Sequence, residues 1–493
     1  MLKKSLGAIL IFVLSAILLA GCGGYKLPKV AGGPAAADAV ESNGGMAVKK
    51  GEYLYFINGT STASADNKYG DAEKGALMRV KLGDELSDRV LIAPKVVLSS
   101  YTKGGVWIFG DRIYYTSPSQ KRNKNKEILT SYLDFFSCKL DGTDTKEIMT
   151  TTSGSNAFVF FETDGVVYIN YIASVTDSDG ASVSKVFVRN TATGKESVVV
   201  DKYVNAPIIA DNGYIYYDET ILKNPDDEAE GTLPYNKILF VKNTGGEAAE
   251  LKIGDTAINT DAVTGYKYMI TLQHAQTFGT ETALFYSKIS AADTNPQPLK
   301  TAITCSHVIG STVEKTVVQL DGGDTFTDKM YDSATSFFAT FNGELRYVTN
   351  DGGYVSKTIL TTSPAKKLYV EGEYLYYLRT DVSANVLCRI QFKEADNANF
   401  VPDNTPKKHV LVKDISIEMA GLSPELIGGY LYFIRADITD TEKNIYKDYL
   451  YRIKVDGTVY EKDEDGNDPT ALQLVSVIAK ADLPEESPTP SAN

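Results

Sequence analysis

One short pattern of apolar and polar positions recurs along most of this chain. A turn pair leads into three or four apolar or aromatic residues dominated by Tyr. It appears as Gly51-Glu52-Tyr53-Leu54-Tyr55-Phe56 and Gly110-Asp111-Arg112-Ile113-Tyr114-Tyr115, then as Asp164-Gly165-Val166-Val167-Tyr168 and Asn212-Gly213-Tyr214-Ile215-Tyr216-Tyr217. A weaker copy is Gly265-Tyr266-Lys267-Tyr268-Met269; later ones are Asn342-Gly343-Glu344-Leu345-Arg346-Tyr347, Gly372-Glu373-Tyr374-Leu375-Tyr376-Tyr377 and Gly429-Tyr430-Leu431-Tyr432-Phe433. After each clear copy a second apolar run ends in its own turn, as in Phe136-Ser137-Cys138-Lys139-Leu140-Asp141-Gly142 and Leu450-Tyr451-Arg452-Ile453-Lys454-Val455-Asp456-Gly457. Asp-Gly and Asn-Gly between apolar runs favour hairpins because both residues tolerate positive φ.

Successive central tyrosines at 55, 114, 168, 216 and 268 are 59, 54, 48 and 52 residues apart, and those at 376 and 432 are 56 apart. A repeat this long with no convincing helical stretch predicts an all-β chain, a β-propeller of seven or eight four-stranded blades over residues 46–480. Eight is the direct count, and seven follows if one copy is false. The Tyr-rich strands are apolar on both faces, as expected where each blade is covered by its neighbours. Their tyrosines read as core, with hydroxyls reaching partners at the edges.

The pattern resembles bacterial propeller lipoproteins related to the YWTD propellers of the low-density-lipoprotein-receptor family, with Ile113-Tyr114-Tyr115-Thr116 the nearest copy of the signature. The resemblance implies an extracellular location. No strand carries the signature Trp, so receptor-like ligand binding does not follow.

The N-terminus differs from the rest. Lys3 and Lys4 precede an uncharged stretch from Ser5 to Gly24 that ends in Leu19-Ala20-Gly21-Cys22. Its apolar part is too short to cross a bilayer, which needs about 20 residues, and suits a signal peptide. Small residues before a Cys resemble the bacterial lipobox, which implies a diacylglycerol on Cys22 and cleavage before it. Residues 1–21 are then a signal peptide, and 22–45 the lipidated Cys with a Gly/Ala/Pro-rich tether. Residues 481–493 are a disordered tail. The expected location is the outer face of a bacterial membrane, and the expected state monomeric.

Composition narrows the chemistry. The net charge of −13 becomes −15 once Lys3 and Lys4 are removed, and acids and bases are mixed without the clustered Lys/Arg face that nucleic acid needs, which argues against nucleic acid. Cys138, Cys305 and Cys388 are too few and too scattered for a disulfide framework or a metal site, and Cys138 and Cys388 occupy matching strand positions. His274, His307 and His409 share no spacing with a nucleophile. Trp107 reads as an inner-strand core residue. The acidic runs 463–468 and 177–180 lack the order of a calcium loop. No cofactor, metal or catalytic residue is expected.

The connection between the second and third strands of a unit is long at 58–75, 117–132, 172–184, 219–236 and 436–447. Long polar loops on a rigid scaffold are where recognition is placed. This end of the ring is therefore the candidate binding face, for an envelope protein or an extracellular glycan. A polysaccharide hydrolase or lyase is the alternative, and an accessory subunit of a transporter or secretion complex a third reading.

Overall fold

The computed structural model describes residues 32–59, 74–83, 85–99, 104–119, 121–127, 132–152, 157–210, 212–221 and 235–260, then mainly the strands and their flanks to residue 477. Cys22, the acidic run 463–468, His409 and the tail 481–493 lie outside the described residues.

Every described regular element is a strand. Among the described residues the strands form eight antiparallel sheets of four or five strands, plus a two-stranded ribbon at 252–257. Within each sheet the strands follow sequence order. From the eighth through the first to the fifth, consecutive sheets share cores. One apolar cluster joins the first, second and eighth sheets through Tyr55, Ile108, Cys138, Tyr432 and Leu450. Another joins the second and third through Trp107, Phe135, Phe158 and Ile169, and a further one the third and fourth through Val186, Ile215 and Val241. Tyr216, Ile270 and Tyr286 bring the fourth onto the fifth, and Phe285 meets Phe337 of the sixth edge-on at 5.1 Å. The strand Phe326–Ser333 of the sixth sheet packs on Ala365–Glu371 of the seventh. This is a β-propeller, as the repeat predicts.

Two copies of the repeat are placed differently from the sequence reading. Tyr268 lies on Tyr268–Phe278, the innermost strand of the fifth sheet, and the second strand is Glu281–Ser290 with the fully buried Tyr286. Tyr347 lies on Glu344–Asn350, the third strand of the sixth sheet; the second is Ser336–Phe341, with Phe337 and Phe338. Gly-bearing turns precede third strands as well as second ones, so a turn followed by a Tyr run does not by itself fix the strand's rank. Tyr168 is half-buried, stacked on Phe161 at 5.5 Å, while the adjacent Ile169 takes the core position.

Elsewhere the tyrosines behave as core. Tyr55, Tyr216, Tyr376 and Tyr432 are at most 1 % exposed. The hydroxyl of Tyr55 donates to the carbonyl of Leu140 in the next sheet's turn at 2.8 Å. Asn170 does the same from the third sheet to Asn243 at 2.8 Å, and Arg452 from the eighth sheet to Gly83 of the first at 2.6 Å. A polar side chain within one blade thus satisfies a turn carbonyl of the next, which fixes blade spacing.

The last contact belongs to the seam that closes the ring. All four strands of the eighth sheet come from 425–474, so the seam is held by side chains on backbone rather than by a shared strand. The Asn58 amide donates to Val477 O at 2.8 Å and accepts from Val477 N at 2.7 Å. Arg89 donates to Val475 O at 2.9 Å and Leu474 O at 3.0 Å.

The first sheet has a fifth strand. Val40–Glu41 pairs with the inner strand Ala47–Lys50, in the register Val40↔Lys50 and Glu41↔Lys49. The chain then crosses to the second sheet, where Gly44 and Gly45 exchange backbone hydrogen bonds with Gly105 and Val106 at 2.7–2.9 Å. Asn43 brackets Ile108, accepting from its N–H at 2.7 Å and donating to its carbonyl at 3.1 Å. Residues 40–45, read from sequence as part of a tether, are therefore built into the inner wall. The reason is backbone pairing, which a Gly-rich composition permits and an apolar pattern does not reveal.

Candidate functional site

The two ends of the ring differ. One carries the tight turns. Asp164 and Gly165 both have positive φ, +53° and +73°, as a two-residue hairpin of this twist requires. At this end residues 32–38 lie against the turn at 51–52. Lys50 Nζ donates to the carbonyls of Ala36 at 3.0 Å and Asp38 at 2.8 Å, and burial lowers its pKa, with Asp38 opposing. Arg79 Nη2 reaches Gly32 O at 3.4 Å, and its guanidinium lies 4.8 Å over the Tyr53 ring. The N-terminal segment thus enters at the short-turn end and climbs to the other before the first inner strand begins.

The other end carries the connections predicted to be long. The neck of 58–75 is closed by Asn58 N on Ala76 O at 2.7 Å and Gly75 N on Asn58 O at 3.1 Å. At 172–184 the sequence reading needs correction. The strands Val166–Thr176 and Ser182–Asn190 pair as far as Thr176↔Ser182, leaving only a tight turn at 177–181. Alternating Ser, Val and Thr continue the strand pattern through that stretch, and Asp177 N bonds Ala181 O at 2.8 Å. Residues 222–234 and 436–447 lie outside the described residues.

At 121–127 the connection forms an ordered exposed turn. Asn123 N bonds Glu127 O at 2.9 Å, and Asn123 Oδ1 accepts from the N–H groups of Asn125 at 2.9 Å and Glu127 at 3.0 Å. Asn123 Nδ2 donates to Glu127 Oε2 at 2.7 Å, and Lys126 sits at φ +66° with its carbonyl taken by Arg122 Nη1 at 2.6 Å. The turn presents Lys121, Arg122, Lys124 and Lys126, all exposed. This run stands in plain view in the sequence. It is a local exception to the mixing of charges and to the expected absence of a Lys/Arg cluster, and only the fold places it on the long-loop end.

Several described carboxylates are engaged in hydrogen bonds within and between sheets. The Thr150 hydroxyl lies 2.6 Å from Asp134 and 3.1 Å from Glu147. Tyr171 donates to Glu196 at 2.6 Å beside Arg189, and burial first, then Glu196, raises the Tyr171 pKa. Asp218 accepts from Asn205 N at 2.9 Å and from the amides of Asn205 at 2.6 Å and Asn236 at 3.1 Å, while Asn236 brackets the backbone of Ile270. That network ties the fourth sheet to the fifth. Among the described residues no cluster of His, Cys, Asp and Glu could hold a metal ion. Cys138 and Cys388 are buried and outside any disulfide, and burial pushes the Cys138 thiol up to about 12. Trp107 is buried against Phe158 and Phe160 at 6.0 and 5.1 Å.

No family model matches the chain, and no curated protein matches it. Among solved structures, a prolyl endopeptidase is 11 % identical with a TM-score of 0.42, over 85 % of this chain and 55 % of that one, so the chain spans about half its length. The β-propeller domain of the Trilobed protease from Pyrococcus furiosus is 10 % identical with a TM-score of 0.37, over 69 % of this chain and 92 % of that one. A chain of the nidogen/laminin complex is 13 % identical with a TM-score of 0.27, over 52 % of this chain and 86 % of that one. These scores are low, and the propeller assignment stands on the sheets and the cores they share.

Proposed function

We propose that this chain is an exported β-propeller, held by a lipid on Cys22 to the outer face of a bacterial membrane, which acts as a non-catalytic binding or scaffolding module. It presents its long-loop end to an envelope protein or an extracellular glycan. The observation that carries this reading is the entry of the N-terminal segment at the short-turn end, where Gly32 and Ala36 meet Arg79 and Lys50. Nine residues, 23–31, separate Cys22 from that entry at Gly32, and ten steps of roughly 3.3–3.6 Å each reach at most about 36 Å. A lipid on Cys22 therefore keeps the short turns toward the bilayer and the long connections toward the medium. Two acyl chains suffice for stable attachment, since each buried CH₂ contributes about 0.8 kcal/mol.

The test is labelling with an alkyne-bearing palmitate in cells that express the chain or its Cys22→Ser variant. The wild type takes up label and sediments with membranes, whereas the variant is unlabelled and either released or unprocessed. A variant that stays in the membrane fraction, beside an unlabelled wild type, removes the anchor. Oligosaccharide released from envelope polysaccharide by the purified chain would replace the binding module with a hydrolase or lyase.

A further inference from the structure

We propose that the turn 121–127 is a docking point for a linear anionic glycan outside the cell, whose carboxylate or phosphate groups pair with Lys121, Arg122, Lys124 and Lys126. The inference deepens the anchored binding-module reading and rests on it for the direction in which the turn faces.

Three observations carry it. The chain is acidic, with 63 Asp and Glu against 50 Lys and Arg, yet four cations fall within the six positions 121–126, with no acid among them. Among the described residues none of the four takes part in an ion pair; the salt bridges described at this second sheet, Arg112 and Lys146 with Asp144, belong to its short-turn end. Glu127, the one acid in the turn, has an oxygen held by the Asn123 amide at 2.7 Å.

The turn is also built rather than loose. Asn123 accepts two backbone N–H groups and Arg122 caps the Lys126 carbonyl, so the backbone bearing the cations is ordered before any ligand arrives. Preorganisation lowers the entropy lost on binding. Arg122, with Nη1 committed to the Lys126 carbonyl, adds the planar donor pair of Nε and Nη2, which matches a carboxylate or phosphate group.

The third observation selects the partner. Protein interfaces draw most of their energy from buried aromatic and apolar anchors. This turn has none, and the exposed large hydrophobics among the described residues are Val198, Val204 and Val263, all elsewhere in the chain. A purely cationic, hydrated contact suits a hydrated polyanion. The bilayer that holds the anchor lies at the opposite end of the ring in the reading above, so its lipid headgroups are the poorer match. Glycan charges in the medium meet the turn directly.

The experiment measures retention of the detergent-solubilised full chain on immobilised polygalacturonate, polyphosphate and dextran, with sedimentation on phosphatidylglycerol/phosphatidylcholine vesicles alongside. The variant Lys121→Gln/Arg122→Gln/Lys124→Gln/Lys126→Gln is compared with Lys81→Gln/Lys139→Gln/Lys242→Gln/Lys454→Gln, which removes the same charge from exposed positions at the short-turn end. Circular dichroism and melting confirm that both variants fold. The wild type is expected to bind a charged polymer over dextran, with affinity falling as salt rises. Exposed pairs are individually weak, so the turn variant should bind roughly ten- to thirtyfold more weakly while the control stays within about threefold. A preference for polygalacturonate assigns carboxylates, and one for polyphosphate assigns phosphates. The proposal is overturned if the wild type binds neither polymer better than dextran, if the two variants lose equally, or if vesicles are preferred to both polymers. Loss of the anchor in the Cys22→Ser experiment leaves this readout untouched, so the two readings fail separately.

Discussion

Replacing Gly105 by Ala tests how the N-terminal segment is held. A Cβ on Gly105 would overlap the carbonyl oxygen of Gly45, a backbone atom with nowhere to go without breaking its pairing. The contacts at stake are Gly44 N on Val106 O, Gly105 N on Gly44 O and Val106 N on Gly45 O, followed by the two Asn43–Ile108 bonds. Each is worth about 0.5–1.5 kcal/mol net of the water that replaces it, and part of the set is lost when the segment peels away. The expected loss is about 2–4 kcal/mol, confined mostly to residues 40–46. The ring itself keeps its eight-sheet core, because Met46 N still has Glu425 Oε1 within reach, 2.9 Å in the wild type. Hydrogen exchange read by mass spectrometry should show the peptide over 40–46 exchanging at least about tenfold faster in Gly105→Ala. Peptides over the strands Tyr214–Ile221 and Tyr235–Lys242, on another part of the ring, should be unchanged. Equal protection of 40–46 in both proteins would refute the inner-wall path of the segment.

Other outcomes follow from the same packing. Arg79 and Arg452 hold equivalent places opposite Tyr55 and Tyr432, but Arg79 Nε and Nη1 make no hydrogen bond, whereas Arg452 bonds Gly83 O and Gln473 Oε1 at 2.6 and 2.7 Å. Arg79→Met should be neutral or stabilising in chemical denaturation, and Arg452→Met should cost about 2 kcal/mol. Tyr55→Phe leaves the Leu140 carbonyl without its donor and should cost about 1–2 kcal/mol in the same assay. Burial raises the phenol pKa of Tyr55 and Tyr171, and that of Tyr216 to about 12, above the unfolded value of about 10. The folded state therefore holds these protons more tightly; stability is full below about pH 10 and falls as pH rises toward the folded values. Absorbance at 295 nm should show these phenolates appearing only with unfolding, and a single reversible titration of all tyrosines near pH 10 would contradict the packing.

The repeat of Gly-bearing turns and Tyr-rich strands made the fold class legible because blade cores demand apolar residues on both strand faces. It misplaced Tyr268 and Tyr347, since first, second and third strands of a blade are equally apolar and only pairing ranks them. Phe337 and Phe338 escaped notice because the core position they fill accepts any large ring. The matched burial of Cys138 and Cys388 was readable from their shared place in the repeat. The segment 40–45 was not, because its hold is backbone hydrogen bonding by Ser, Asn and Gly, which carries no hydrophobic signature. The candidate binding end was legible only as a set of loop lengths, and one of those, 172–184, is strand apart from a tight turn at 177–181. The basic turn at 121–127 shows the converse: its residues were visible, and its significance depends on which end of the ring it occupies.

The central claim is that the anchored ring turns its long-loop end outward. It is tested most directly by energy transfer in vesicles carrying the lipidated protein, with a donor attached at Asn125→Cys or at Asp164→Cys and an acceptor on the lipid headgroups. Both sites are exposed and lie at opposite ends. Strong transfer from position 164 with weak transfer from 125 is the expected result. Equal transfer, or the stronger signal from 125, would contradict the account.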